Sequence, residues 1–185
     1  MPTHHKPTGI SATLLKQAVD GDENAFKSIY NLLSNTMYGI CLRYSLYDDE
    51  ANDMFQESFT TLYLNLSKFR NEGSFEGWAK SIVVRTCLDY VKARRPFIFE
   101  LNNVPIKETN DLSGFDKLSM DELVKIIQLL PDMFRLIINL YCIEGYNHKE
   151  IAEMLGIAEG TSKSQLARAK SILKEKLLHK VEQRS

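Results

Sequence analysis

Residues 147–177 read NHKEIAEMLGIAEGTSKSQLARAKSILKEKL, and this stretch decides the fold around it. Ile151, Ala152 and Leu155 recur at helical spacing and form the inner face of a short helix. Asn147 and Glu150 stand at capping-box spacing at its start. Gly156 supplies a left-handed turn that strains any residue with a Cβ. Ile157 plugs the corner, and Leu166, Ala169, Ile172 and Leu173 give a second helix its inner face. Ala152 is small enough to let the two helices approach closely. A short helix, a tight turn and a crossing helix make a helix-turn-helix. The outer face of the second helix then presents Lys163, Ser164, Gln165, Arg168 and Lys170. Such side chains hold phosphates and read base edges from a major groove. A structural hairpin with a basic exterior is the plainer reading of the same residues.

Upstream, Leu123, Ile126, Ile127 and Leu130 follow the capping pair Ser119 and Glu122. Pro131 suits the first turn of the next helix, which carries Phe134, Ile137, Ile138, Tyr141 and Cys142 inward and ends at Gly145. Residues 97–117 have no helical period and hold Pro105, Gly114 and three asparagines. About twenty residues is long for a loop inside one domain, so an extended linker is expected there.

Before the linker, apolar residues from Phe26 to Tyr44 recur at three- and four-residue gaps behind the cap Asp22. Asp48 is placed to cap a helix with Ala51, Met54, Phe55, Leu62 and Leu66 inside, and Ser74 to cap one from Phe75 to Val91. Pro96 ends that helix. With a short leading helix, Ala12 to Val19, these close a bundle. The expected fold is all-α: a helical bundle over 1–96, the linker 97–117, and a helix-turn-helix domain over 118–185. Met1 to Thr8 is expected to be an unordered tail.

The chain has 185 residues and a net charge of -1. That near-neutrality hides two basic stretches. Residues 78–95 hold five basic side chains against one acidic, and residues 160–185 hold seven against two. Residues 20–57 are the reverse, with two basic against eight acidic. A polyanion would be met at two places. No apolar run approaches the ~18 residues that span a bilayer. No secretory leader is visible, so a cytoplasmic protein without membrane insertion is expected. The three cysteines, Cys41, Cys87 and Cys142, read as buried free thiols rather than a disulfide frame or a zinc site. No catalytic motif, metal site or cofactor is expected.

The basic stretch FEGWAKSIVVRTCLDYVKARR, residues 75–95, mixes Phe75 and Trp78 with cations. Aromatics beside cations suit unstacked bases and a phosphate backbone. Trp78 shares a face with Ile82 and fits a core position equally well. The acidic stretch from Asp48 sets Asp49, Asp53, Gln56 and Glu57 along neighbouring faces of one helix. No histidine stands near them in the sequence, so a protein-docking face is favoured over acid-base or metal chemistry.

Over about residues 15–180, the chain resembles the extracytoplasmic-function (ECF) group of the sigma-70 family. DMFQESFTTLY resembles the part that docks on the largest polymerase subunit. FEGWAKSIVVRTCLDYVKARR resembles the part that melts and reads the -10 promoter element. The stretch from Leu130 to Leu177 resembles the domain that reads the -35 element. The resemblance implies a promoter-specificity subunit for core RNA polymerase, and implies an anti-sigma factor as a further partner. Asp49, Asp53, Gln56, Glu57 and Phe59 would dock on polymerase. Trp78, Arg85, Thr86 and Asp89 would capture an unstacked base of the melted -10 strand, while Lys92, Arg94 and Arg95 hold phosphates. Thr161, Lys163, Ser164, Gln165, Arg168 and Lys170 would face the -35 duplex. The linker, with two basic and four acidic residues over 96–117, would run through the polymerase interior.

Four residues depart from the family pattern. Arg85 stands where Asn is common, Ala158 where Ser caps the recognition helix, Ser162 where Val is common and Gln165 where Arg is common. Loss of the cap costs about 1 kcal/mol, and Gln favours adenine where Arg favours guanine. Two other classes compete. A one-component helix-turn-helix regulator would bind duplex DNA without polymerase as a dimer on two half-sites. A nucleic-acid enzyme would use the carboxylates of 48–57 and need a metal.

Overall fold

The computed structural model describes residues 9–94 and 120–182. The linker at 97–117, Arg95, Ser119 of the expected capping pair and the tail Met1 to Thr8 lie outside the described residues. Every regular element among the described residues is helical. The chain divides into two compact units, Met1–Tyr90 and Val91–Ser185.

The first unit carries α1 (Ala12–Val19), α2 (Glu23–Tyr44), α3 (Asp48–Asn65) and α4 (Phe75–Arg94), the last running a few residues past the division. Ser11 Oγ accepts from Leu14 N at 3.1 Å and starts α1. Asp22 accepts from Asn24 N and Ala25 N and starts α2. α2 then buries Ile29, Leu33, Met37, Ile40, Cys41 and Tyr44 along one face, against which α3 packs. Each such apolar side chain contributes roughly 1.5–3 kcal/mol. Packing therefore outweighs the ~1 kcal/mol of a cap in holding α2. From α4, Ala79, Val83, Cys87 and Val91 are buried, and Cys87 Sγ lies 3.9 Å from Cys41 Sγ of α2.

The start of α3 differs from the sequence expectation. Tyr47, not Asp48, is the N-cap residue, and it makes no side-chain cap. Glu50 does the work from inside the first turn, accepting from Leu46 N at 2.6 Å. Asp48, Asp49 and Glu50 all lie in that turn, where negative charge is favoured by the helix dipole. At α4, Ser74 Oγ does accept from Gly77 N, at 3.0 Å.

The second unit carries α5 (Met120–Gln128), α6 (Asp132–Ile138), α7 (His148–Leu155) and α8 (Glu159–Glu182). α8 packs against α5, α6 and α7. Ile126, Ile127, Leu136, Ile137, Ile151, Leu155, Leu166 and Ala169 form its buried interior. Arg135 is wholly buried inside it, paired with Asp132 and donating to Gln128 O at 3.0 Å. Removing one member of such a pair leaves a buried charge and costs ~3–5 kcal/mol.

α6 does not continue to Cys142 as a plain α-helix. Asn139–Ile143 form a π-helical turn in which Glu144 N donates to Asn139 O at 2.9 Å. The wider turn shifts the helical phase, so Tyr141 and Cys142 come out exposed where an inward or buried position was expected. Cys41 and Cys87 are buried free thiols.

Candidate nucleic-acid interface

The helix-turn-helix is built by short-range chemistry. Asn147 Oδ1 accepts from Lys149 N and Glu150 N, and Glu150 accepts from Asn147 N at 2.8 Å, closing the capping box. Gly156 takes φ 68° and ψ 35°, the left-handed region, and Ile157 N donates to Ala152 O at 3.0 Å. Ala158 then precedes α8 and offers no side-chain oxygen to its first turn.

α8 buries Ser162, Gln165, Leu166, Ala169 and Leu173. Lys163 is exposed, and Thr161, Ser164, Arg168 and Lys170 are half-buried. Gln165 corrects the sequence reading. It was expected on the outer face, yet it is only 3% exposed. It sits one helical step from Leu166, at the edge of the inner face, and packing covers that edge. Lys163 Nζ lies 2.6 Å from Glu159 Oε1 across an exposed turn. The Lys163 ammonium holds the Glu159 carboxyl below its ordinary range. His148 Nδ1 lies 2.9 Å from Ser162 Oγ, and its ring stacks on Tyr141 at 4.5 Å. Burial, then the Lys163 charge, pushes the His148 pKa down.

α4 presents a different surface. Trp78, Ile82, Arg85, Asp89 and Lys92 recur at helical spacing and lie opposite the buried face. Arg85 and Asp89 are exposed, whereas Thr86 is buried at 8% exposure, so its expected contact with a base is not open. It lies three residues from Val83 on the packed side of the helix. Trp78 is half-buried in a ring cluster, 5.4 Å from Phe69 and 5.5 Å from Phe75, so part of its face serves the fold. Lys92 and Arg94 occupy the last turn.

On α3, Asp49, Asp53, Gln56 and Glu57 are all exposed. Phe59 is not: it is 6% exposed and packs on Tyr30 at 4.7 Å and Phe55 at 4.8 Å. The ring is two residues beyond Glu57, about half a helical turn, so it faces the opposite side of α3 and packs toward α2. The acids act at a distance: burial first, then Glu57, Asp53 and Glu50, raise the pKa of Tyr90 on α4. Among the described residues, no three His, Cys, Asp or Glu side chains converge as metal ligands. No described helix is long and apolar enough to cross a membrane.

Residues 29–97 match Sigma-70 region 2, and residues 120–173 match Sigma-70, region 4. The chain belongs to the sigma-70 family. Within it, the chain is an ECF sigma factor. It is 28% identical to the ECF RNA polymerase sigma factor SigW of Bacillus subtilis, over 88% of this chain and 94% of that one. It is 29% identical to the ECF RNA polymerase sigma-E factor of Haemophilus influenzae, over 89% and 93%. In fold it is similar to the sigma factor RpoE of Bartonella quintana, solved in complex with the anti-sigma factor NepR. That likeness has a TM-score of 0.54 and 22% identity, over 83% of this chain and 96% of that one.

The region 2 match of this sigma factor contains both the acidic face of α3 and the Arg85–Asp89 stripe of α4. The region 4 match contains α5 to α7 and the first part of α8. Sequence reasoning missed two polar devices in the sigma factor. The Asp132–Arg135 pair was signalled by opposite charges three apart at a helix start. The His148–Ser162 contact spans fourteen residues and had no local signal.

Proposed function

We propose that this sigma factor engages core polymerase and promoter DNA through three separate faces. The observation that carries this reading is the αL turn at Gly156, which joins a capped α7 to a helix with Lys163 exposed and Arg168 and Lys170 half-exposed. α8 lies in the major groove of the -35 element, with Thr161, Lys163, Ser164, Arg168 and Lys170 toward DNA. Cations there neutralise phosphates and release counterions, which makes binding steeply salt-dependent. Gln165 and Thr86, being buried, are assigned no DNA contact.

Arg85 and Asp89, with the open part of Trp78, meet an unstacked base of the melted -10 strand. Lys92, Arg94 and Arg95 hold its phosphates. Asp49, Asp53, Gln56 and Glu57 dock on a basic surface of core polymerase, where complementary charge favours encounter and orientation. Phe59 supports that face from beneath. The domains of this reading are 1–96 and 118–185, with 97–117 as linker. The chain supplies binding free energy and no chemistry of its own, and it acts in the cytoplasm. An anti-sigma factor covering these faces belongs to the same reading.

Run-off transcription with core polymerase on fragmented genomic DNA tests it. Discrete start sites that need this chain, aligned on shared -35 and -10 elements, are the expected result. Tight binding of a palindromic duplex by a dimer, with no initiation, would move the assignment to a one-component regulator.

A further inference from the structure

We propose that His148 is a positioning residue for DNA recognition: through Ser162, and beneath Tyr141, it sets how α8 lies across α7. This rests on the reading of α8 as the -35 helix. His148 is the first residue of α7, and Ser162 lies in the first turn of α8. The 2.9 Å contact between them therefore ties the far end of α7 to the start of the recognition helix. Gly156 fixes the near end. Two ties define an angle where a turn alone leaves a hinge.

The arrangement is specific. Ser162 is fully buried and shares a face of α8 with Leu166 and Ala169, both themselves buried. An apolar side chain would suit such surroundings, and a hydroxyl there is costly unless paired. The imidazole pairs it. Tyr141 reaches the ring because the π-helical turn Asn139–Ile143 rotates it outward, and the two rings stack at 4.5 Å with 21° between their planes. A π-turn interrupts regular hydrogen bonding and commonly marks a functional place. Thr161, Lys163 and Ser164, the residues beside Ser162, are those proposed to face DNA. A shift of this turn moves them directly.

The tie is also exposed to pH. The charged groups acting on the ring are Lys163, Glu159 and Lys170, all from α8. Burial and Lys163 oppose a second proton on the ring, while Glu159 favours it. A protonated ring can donate to Ser162 Oγ but can no longer accept from it.

The test uses the full chain with core polymerase and a promoter pair with and without a -35 element. The readout is the ratio of initiation on the two, with amide exchange at Leu166 and Ala169 reporting the fold. His148→Ala and Ser162→Ala are each expected to lower the ratio about fivefold to tenfold, and the double variant no further than either single. His148→Asn, whose amide reaches the Nδ1 position, is expected to restore most of it. The wild-type ratio is expected to be level above about pH 6.5 and to fall below it, and that of His148→Asn to stay level throughout. Additive losses, single variants within about twofold of wild type, or equal pH profiles would each overturn the proposal. A wild-type ratio that stays level across that pH range would also overturn it, and this arm needs no variant to fold. Wild-type initiation indifferent to the -35 element would overturn the reading of α8 itself.

Discussion

Replacing Gly156 by Ala gives the sharpest energetic test of the helix-turn-helix. The residue sits at φ 68°, and a Cβ built there meets nothing within 4 Å. The penalty is therefore backbone strain alone. A non-glycine residue in the left-handed region costs roughly 1–2 kcal/mol. Stiffening of the unfolded chain by Ala returns about 0.4–1 kcal/mol. The net destabilisation is about 1 kcal/mol, or roughly fivefold in the opening equilibrium of the second unit. Asparagine, which visits this region more readily, should cost less. Amide exchange resolves the two units. Protection at Ile151, Leu155, Leu166 and Ala169 should fall about fivefold in Gly156→Ala, while Ile29 and Leu33 of α2 stay unchanged. Unchanged protection in the second unit would mean that the left-handed turn is not required. A loss beyond about a hundredfold, or nearly 3 kcal/mol, would mean that the space around the turn is not open and the strain argument is incomplete.

Asp53→Ala and Gln56→Ala should each weaken capture by core polymerase and leave the exchange protection of α2 and α3 intact, because both side chains are exposed; undiminished co-purification would remove α3 from the docking face. Arg168→Ala should weaken promoters that carry a -35 element and spare polymerase docking, and equal losses on promoters with and without that element would refute the placement. Lys163→Ala should lower the slope of log affinity against log salt by about 0.9 if its ammonium exchanges Glu159 for a phosphate; an unchanged slope in a titration of -35 duplex would place Lys163 off the DNA. His148 has a lowered pKa in the folded chain. The unfolded chain therefore takes up a proton first, so the second unit should lose stability as pH falls below about 6.5, with no contribution above it. Denaturation of wild type and His148→Asn across that range should diverge on the acid side, and parallel curves would refute it.

Much of this was legible in residue order. The inner face of α2 was readable because Ile29, Leu33, Met37, Ile40 and Tyr44 all fall on one helical stripe, and periodicity alone selects that stripe. The capping box at Asn147 and the turn at Gly156 were readable because each is chemistry within five residues. The start of α3 was less so: both Asp48 and Glu50 can serve a helix start, and only the path of the chain at Leu46 decides between them.

The residues that moved were those at the edges of a face. Phe59, Thr86 and Gln165 each have a helical phase that sequence fixes to within one step. Whether that step is covered depends on where the next helix lies, and no local interaction encodes it. The π-helical turn, which brought Tyr141 out of the interior, exchanges one hydrogen-bond register for another at small local cost. Packing in the second unit settles the choice.

Sequence alone determined two helical units, a basic helix after a tight turn, an acidic face and their order along the chain. These follow from periodicity, capping and charge, which act over a few residues. Tertiary structure alone decided that Gln165 turns inward, that Arg135 lies buried against Asp132, and that His148 meets Ser162 beneath Tyr141. Those contacts depend on how helix surfaces are brought together, a property of their mutual packing that no single helix carries.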